Sequence, residues 1–319
     1  MKNLLEIKNL NLFFKNNDKE YQALFDINLN LEKGKFHALV GESGCGKTLT
    51  AMSIIRLIPK SSFIKTGEII FNDENLLNYK ESRMRNLRGN KIALIPQDPM
   101  VSLNPLFTIG EQLFETIMCH KKVSKRQAVR KAKEVLDLVK IPDASNKMSF
   151  YPHEFSGGMR QRIIIAMALA ANAELIIADE PTTALDVTIQ KQIMDLIDSI
   201  KKEFGTTILL ISHDLALVSN YADNINVMYA GHLVEQATSE IFFKNPLHPY
   251  SIALLNSLPT KSHSKPLKTI NGAPPSIQEQ IVGCKFHPRC EHFEKGLCDC
   301  ESPILTKKNE AHYSACLRF

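Results

Sequence analysis

No run of apolar residues in this chain is long enough to cross a bilayer. The longest, "IIIAMALAANA" from Ile163 to Ala173, is short and reads as a buried helix. The N-terminal "MKNLLEIKNL" carries Glu6 and Lys8 where a secretory signal needs an uncharged apolar stretch. These absences argue against an integral membrane protein and predict a cytosolic chain, or a peripheral subunit if it acts at a membrane. A strongly basic stripe is missing too. The formal charge is +5 over 319 residues, which suits small anionic ligands better than nucleic acid. The charged stretch Lys121–Lys133 reads as the solvated face of a helix. There is no internal repeat and no low-complexity tract. Cysteine is scarce over most of the length. Cys45 and Cys119 stand alone, and the other five fall between Cys284 and Cys316. In a reducing compartment such a cluster points to metal before disulfides.

What is present describes an α/β protein. A hydrophobic content of 44% with 23% charged residues allows a sizeable core. Buried-strand candidates are "FHALV" (Phe36–Val40), "GEIIF" (Gly67–Phe71), "KIALI" (Lys91–Ile95), "ELIIA" (Glu174–Ala178), "TTILLI" (Thr206–Ile211) and "NINVM" (Asn224–Met228). Several are apolar on both faces, as parallel strands covered by helices are. Between them, Ala128, Ala132, Val135, Leu136 and Val139 fall at helical spacing behind Ser124, a good N-cap. Pro99–Ala173 therefore reads as a helical insertion in an α/β core. After about Ile241, "KNPLHPY", "LPTKSHSKP" and "NGAPPS" are Pro-rich and polar, which predicts loops leading to a small appended module.

"GESGCGKT" (Gly41–Thr48) fits the phosphate-loop pattern G-x-x-x-x-G-K-[ST] between a strand and a helix. Gly41, Gly44 and Gly46 allow a tight turn in which the amides of Gly41, Glu42, Ser43, Gly44, Cys45 and Gly46 can face phosphate oxygens. The following helix adds its positive end. Lys47 is placed to reach the β- and γ-phosphates and the Thr48 hydroxyl to ligate Mg²⁺. Cys45 contributes only its backbone N–H.

The strand "LIIADE" ends in Asp179 and Glu180. An acidic pair leaving a buried strand is costly unless it meets a cation. Asp179 is placed to hold Mg²⁺ and Glu180 to take a proton from an attacking water. Gln97, in "PQDP", follows another core strand, where its amide could meet the metal or the water. His213 in "ISHD" follows "TTILLI". Alone it would read as a core or capping histidine. As one of the set it becomes a γ-phosphate sensor. A second glycine pair stands in "HEFSGGMRQR" (His153–Arg162). Ser156 is a good N-cap, and the amides of Gly157 and Gly158 open a helix over Met159–Ala171, which makes a second anion site.

Taken in order, the phosphate loop, Gln97, "FSGGMRQR", "LIIADEP", "TALD" (Thr183–Asp186) and "ISHD" resemble the nucleotide-binding subunit of an ABC transporter over roughly residues 4–260. The resemblance implies a P-loop NTPase cassette: a RecA-like parallel-sheet core, an antiparallel β subdomain and a helical subdomain at about 99–173, together residues 1–258. It implies ATP and Mg²⁺ as cofactors. It implies that Ser156, Gly157 and Gly158 close on the nucleotide of a partner subunit, with Met159 in place of the family's commoner glutamine. Phe14 would stack on adenine, with Phe13 and Tyr21 close by, and Asp186 would sit at the subunit interface.

"QDPMVSLNP" (Gln97–Pro105), "HPYS" (His248–Ser251) and "GCKFHPRC" (Gly283–Cys290) extend the resemblance to the oligopeptide, dipeptide and nickel importers, and to nearly the whole chain. For these importers it implies a second, related ATPase, two membrane permeases contacted around Gln97–Asn104, and an extracytoplasmic binding protein. The chain would lie on the cytoplasmic face of the inner membrane and drive peptide uptake. Nickel is the alternative cargo. A soluble ABC ATPase acting on nucleic acid or ribosomes is disfavoured by the single phosphate loop. The tail at 259–319 has the spacing C-x₅-C-x₇-C-x-C-x₁₅-C, unlike a zinc ribbon. The resemblance implies a 4Fe–4S cluster on Cys284, Cys290, Cys298 and Cys316, with Cys300 as the alternative to Cys298. Zinc or no metal remain open.

Overall fold

The computed structural model describes residues 2–17, 19–120, 123–183, 185–258 and 269–318. Ala184 and the segment 259–268 lie outside them, and with it most of "LPTKSHSKP" and the expected boundary at 258/259. In chain order the strands are β1 (Asn3–Asn16), β2 (Lys19–Glu32), β3 (Phe36–Val40), β4 (Ser62–Phe71), β5 (Glu74–Asn75), β6 (Ile92–Ile95), β7 (Leu175–Asp179), β8 (Thr207–Ser212), β9 (Asn224–Tyr229), β10 (His232–Thr238), β11 (Thr306–Asn309) and β12 (His312–Ser314). The helices are α1 (Lys47–Ile54), α2 (Glu81–Leu87), α3 (Pro99–Ser102), α4 (Ile109–His120), α5 (Lys125–Leu138), α6 (Ala144–Lys147), α7 (Gly157–Ala170), α8 (Val187–Phe204), α9 (Leu215–Val218), α10 (Ser239–Lys244) and α11 (Pro249–Asn256).

The chain divides into two units, residues 1–78 with 211–319, and residues 79–210. In the first, β2, β1, β4 and β5 form an antiparallel sheet in that order. "GEIIF" is therefore not a parallel core strand. It is the end of β4, where Ile69 pairs with Ile7 and Phe71 with Leu5 of β1. Ile69 and Phe71 are buried because this sheet also has a packed face, and Ile70 between them is half-buried. A second set of strands carries the loop of interest: β3 pairs parallel with β9, β9 antiparallel with β10, β10 with β12 and β12 with β11. All five residues of β3 are buried, as its two-sided apolar sequence requires.

In the second unit β6 and β7 pair parallel, with Ile92 opposite Leu175 and Ile95 opposite Ala178. Helices α4, α5 and α7 pack together beside them. Ser124 caps α5 in a full capping box with Gln127, and Ala128, Ala132, Val135 and Leu136 are buried. The unit's core is aliphatic, with Ile109, Leu113, Ile163, Ile165 and Ile177 fully enclosed. Each such side chain contributes about 1.5–3 kcal/mol.

The Pro-rich region after Ile241 is more ordered than its composition predicts. Pro249 opens α11, where its missing N–H costs nothing. His248, the N-cap, is 1% exposed, and its Nδ1 accepts from the Tyr250 backbone N–H at 3.1 Å. Burial pushes this imidazole down to about 3 from its ordinary 6.5. Unfolding lets His248 gain a proton between those values. Its contribution to stability is therefore complete above about pH 6.5 and is lost as the pH falls through 6.5 toward 3. The expected loss between pH 6.5 and 5 is about 2 kcal/mol. Urea-unfolding midpoints at pH 7 and 5 check this. His248→Asn keeps a cap acceptor without the titration and is expected to flatten the slope, and equal midpoints for the wild type would refute it.

Candidate functional site

In the first unit, β3 leads into the loop Gly41–Gly46 and then α1. Gly41 has φ of 151°, and a Cβ there would stand 2.1 Å from the Met228 carbonyl oxygen on β9. Only glycine lets β9 approach the loop so closely. Gly46, the N-cap of α1, has φ of 106°, and a Cβ there would meet Leu24 and Met228. The loop is thus shaped by contacts of its own unit, before any ligand is considered. Lys47 is 5% exposed, and its ammonium donates to the carbonyls of Gly41 (2.8 Å) and Glu42 (2.9 Å). Cys45 is buried beside it, with Sγ 3.8 Å from Nζ, and burial raises its thiol pKa. Its backbone N–H donates to Glu42 O at 3.3 Å. Ser43, Gly44 and Thr48 are exposed. Such a loop offers amides, one cation and a hydroxyl to an anion and its counter-ion.

His213 follows β8 and is exposed. Phe14, near the end of β1, is half-buried and pairs in register with Tyr21. Its neighbour Phe13 stacks on Phe63 with ring centroids 6.0 Å apart and carries the Lys65 ammonium 4.7 Å from its centroid.

In the second unit, β7 delivers Asp179, 3% exposed, and then Glu180. Glu180 has φ of 45°, a left-handed conformation that non-glycine residues adopt at a cost. Its Oε2 accepts from Gln97 Nε2 at 3.1 Å and from Thr183 Oγ1 at 3.0 Å. The structure therefore brings Gln97 and Glu180 together and adds Thr183, at the start of "TALD", to the group. Between them these residues present a carboxylate, an amide oxygen and a hydroxyl, hard donors of the kind Mg²⁺ takes.

Ser156 caps α7, with Oγ accepting from Met159 N at 3.4 Å. Ser156 and Gly157 are exposed. Gly158 has a packing reason as well, since a Cβ there would come within 2.7 Å of Ile189 Cγ2 on α8. Two arginines anchor the helix start. Arg160 donates to Pro152 O (2.7 Å) and to the Met100 sulfur, and Arg162 to Val139 O (2.9 Å) and Gln192 Oε1 (3.0 Å). Asp186 caps α8, accepting from Ile189 N at 3.0 Å.

The expected iron–sulfur centre is not supported. Among the described residues no group of three or more His, Cys, Asp or Glu is placed to hold a metal ion. Cys284, Cys290, Cys298 and Cys316 do line one cavity, but its volume is about 20 Å³, room for a single water. Burial pushes the Cys284 thiol up to about 11 and raises that of Cys290. For these two thiols burial favours the protonated form, where a cluster requires thiolates. Cys300, the alternative, is exposed, and the adjacent Asp299 raises its thiol pKa. All seven cysteines are free.

A parallel-strand cassette carrying this loop, with an acidic strand end and a capped serine–glycine helix start, has a known class. Residues 24–183 match the ABC transporter family model, and the chain belongs to that family. Residues 234–298 match a second model, the oligopeptide/dipeptide transporter C-terminal region. The chain is 47% identical to a probable peptide ABC transporter ATP-binding protein of Sinorhizobium fredii, over 99% of this chain and 95% of the relative. It is 46% identical to the oligopeptide transport ATP-binding protein OppD of Bacillus subtilis, over 97% of this chain and 87% of that one. Among solved structures, a dimeric ATP-binding cassette in a post-hydrolysis state with ADP and Pi matches at a TM-score of 0.66 and 26% identity, covering 74% of this chain and 98% of that one.

Proposed function

We propose that this chain is the ATP-hydrolysing subunit of an ABC importer for di- or oligopeptides. The observation that carries this is the pairing of a cassette with the oligopeptide/dipeptide C-terminal region in one chain, at 44–47% identity to peptide-import ATPases over nearly its whole length. The loop Gly41–Gly46 and the Lys47 ammonium bind the triphosphate. Thr48, Asp179 and Gln97 would hold Mg²⁺, which would neutralise charge on the phosphates. Glu180 accepts a proton from water as the water oxygen bonds to the γ-phosphorus and the bond to ADP breaks. His213 hydrogen-bonds the γ-phosphate. Phe14 stacks on adenine.

Ser156, Gly157 and Gly158 serve the nucleotide of a second, related ATPase, with Asp186 at the interface between the two. The exposure of Ser156, Gly157 and Asp186 leaves them open to such a partner. Beyond Gln97, the large apolar residues Met100, Val101, Leu106 and Phe107 are 50–84% exposed. Exposed apolar side chains clustered in this short stretch suit docking against a membrane permease. No described helix is long and apolar enough to cross a membrane, so the chain would meet the membrane through such permeases. An extracytoplasmic binding protein would deliver the substrate.

A tagged chain purified from membranes should bring down two permeases and a second ATPase. A deletion strain should lose uptake of labelled dipeptide and keep uptake of ⁶³Ni. The reverse pattern of uptake would overturn the peptide assignment.

A further inference from the structure

Glu42, the second residue of the phosphate loop, is tied down at every polar atom, and its carboxylate and N–H are held by residues that local sequence does not reveal. Its carboxylate takes the two-pronged fork of Arg289, with Nη1–Oε2 2.7 Å and Nη2–Oε1 2.9 Å. Its backbone N–H donates to the Tyr250 hydroxyl at 2.9 Å, and its carbonyl accepts from Lys47 Nζ. Arg289 lies 247 residues further along the chain, in the "GCKFHPRC" stretch. Its side chain is only 6% exposed. Its remaining donors are also used. Nε donates to Asn271 O (2.9 Å), Nη2 to Gly272 O (3.1 Å) and Nη1 to the Tyr229 hydroxyl (3.3 Å). Tyr229, Tyr250 and Phe286 pack ring against ring at 4.6–5.3 Å beneath this contact. The guanidinium is thus a fixed object anchored in the tail and presented to the loop.

Two physical consequences follow. A bidentate arginine–carboxylate pair fixes orientation as well as distance, so it sets the turn from which the Gly41–Gly46 amides project. It also neutralises a carboxylate that would otherwise stand in the loop meant for a triphosphate, and like charges at that range repel. We infer that Arg289 is a positioning residue for ATP binding: through Glu42, the C-terminal extension shapes and neutralises the phosphate loop of its own chain. This rests on the reading that Gly41–Thr48 holds the triphosphate.

The test uses the full-length chain for Mg·ATP affinity and the assembled transporter for KM and kcat. Arg289→Ala is expected to weaken ATP binding and raise KM about tenfold, with kcat within about twofold of wild type. Adding Glu42→Gln removes the unpaired carboxylate, so the double variant should recover most of the lost affinity. A tail that is only a structural prop would show no such recovery, and the two substitutions would simply add. Should Arg289→Ala lose its fold, Arg289→Lys carries the test. It keeps the charge, cannot fork, and is expected to raise KM about threefold. Wild-type KM in both Arg289 variants, or a double variant no better than Arg289→Ala, overturns the inference. Lys47→Ala separates the two claims. If it binds ATP normally, the phosphate-loop reading itself fails. If it loses ATP while the Arg289 variants bind normally, only the role of Arg289 fails.

Discussion

Glu180→Gln is expected to bind ATP as the wild type does and to lose about 10²–10⁴-fold in turnover. The substitution is nearly isosteric, and the amide oxygen can still accept from Gln97 Nε2 and Thr183 Oγ1, which now sit 3.1 and 3.0 Å from Oε2. What would be lost is the basicity proposed to take the proton from water. The strained backbone at Glu180, with φ of 45°, supports the same reading. A left-handed residue at a strand end persists only where its surroundings enforce it, and such residues gather at functional sites. ATP should therefore accumulate unhydrolysed and hold two cassettes together. Phosphate release, ATP affinity and size-exclusion chromatography of the ATP-loaded pair measure the three parts. Phosphate release at near wild-type rate would remove Glu180 from the chemistry.

The second large effect lies at Glu235. This carboxylate on β10 is 0% exposed and serves three groups at once. It accepts from the backbone N–H groups of Leu247 and His248, each at 2.8 Å, and pairs with His312 Nε2 at 2.8 Å. It thereby joins the turn into α11 and strand β12 to the cassette. Glu235→Ala strands two buried amides and one imidazole, and the expected cost is about 3–5 kcal/mol. The urea midpoint should fall accordingly. Detachment of the tail should also open the buried Cys298 to alkylation at neutral pH. A wild-type midpoint with Cys298 still protected would show that the triad contributes no net stability.

The sequence made local chemistry legible and left distant pairings dark. Ser124 and Ser156 are recognisable as caps because a cap is decided within four residues. The loop Gly41–Thr48 stands between β3 and α1, as its spacing requires. By contrast, β1 and β2 escape a reading based on alternation. Their register is broken between Ile7 and Leu10 and again beyond it, with Asn9 and Asp26 in positive-φ conformations. "GEIIF" misleads because its apolar run suggests burial on both faces, whereas Ile69 and Phe71 are buried and Ile70 between them is only half-buried. The tail misleads for a chemical reason. Clustered cysteines suggest ligation, but here they share an apolar pocket with Phe286 and Leu317, and burial keeps the affected thiols protonated. The Glu42–Arg289 and Glu235–His312 pairs span 247 and 77 residues, and no local pattern announces either one.

The pairing of β12 along β10 has one more effect. Without it, β10 would present a row of open amides and carbonyls to any passing chain, a template for intermolecular ladders. The polypeptide's own end seals that seam. The new margin, β11, is only four residues long and reads "TKKN", with two adjacent lysines. A brief, cationic border of this kind discourages further pairing with another chain.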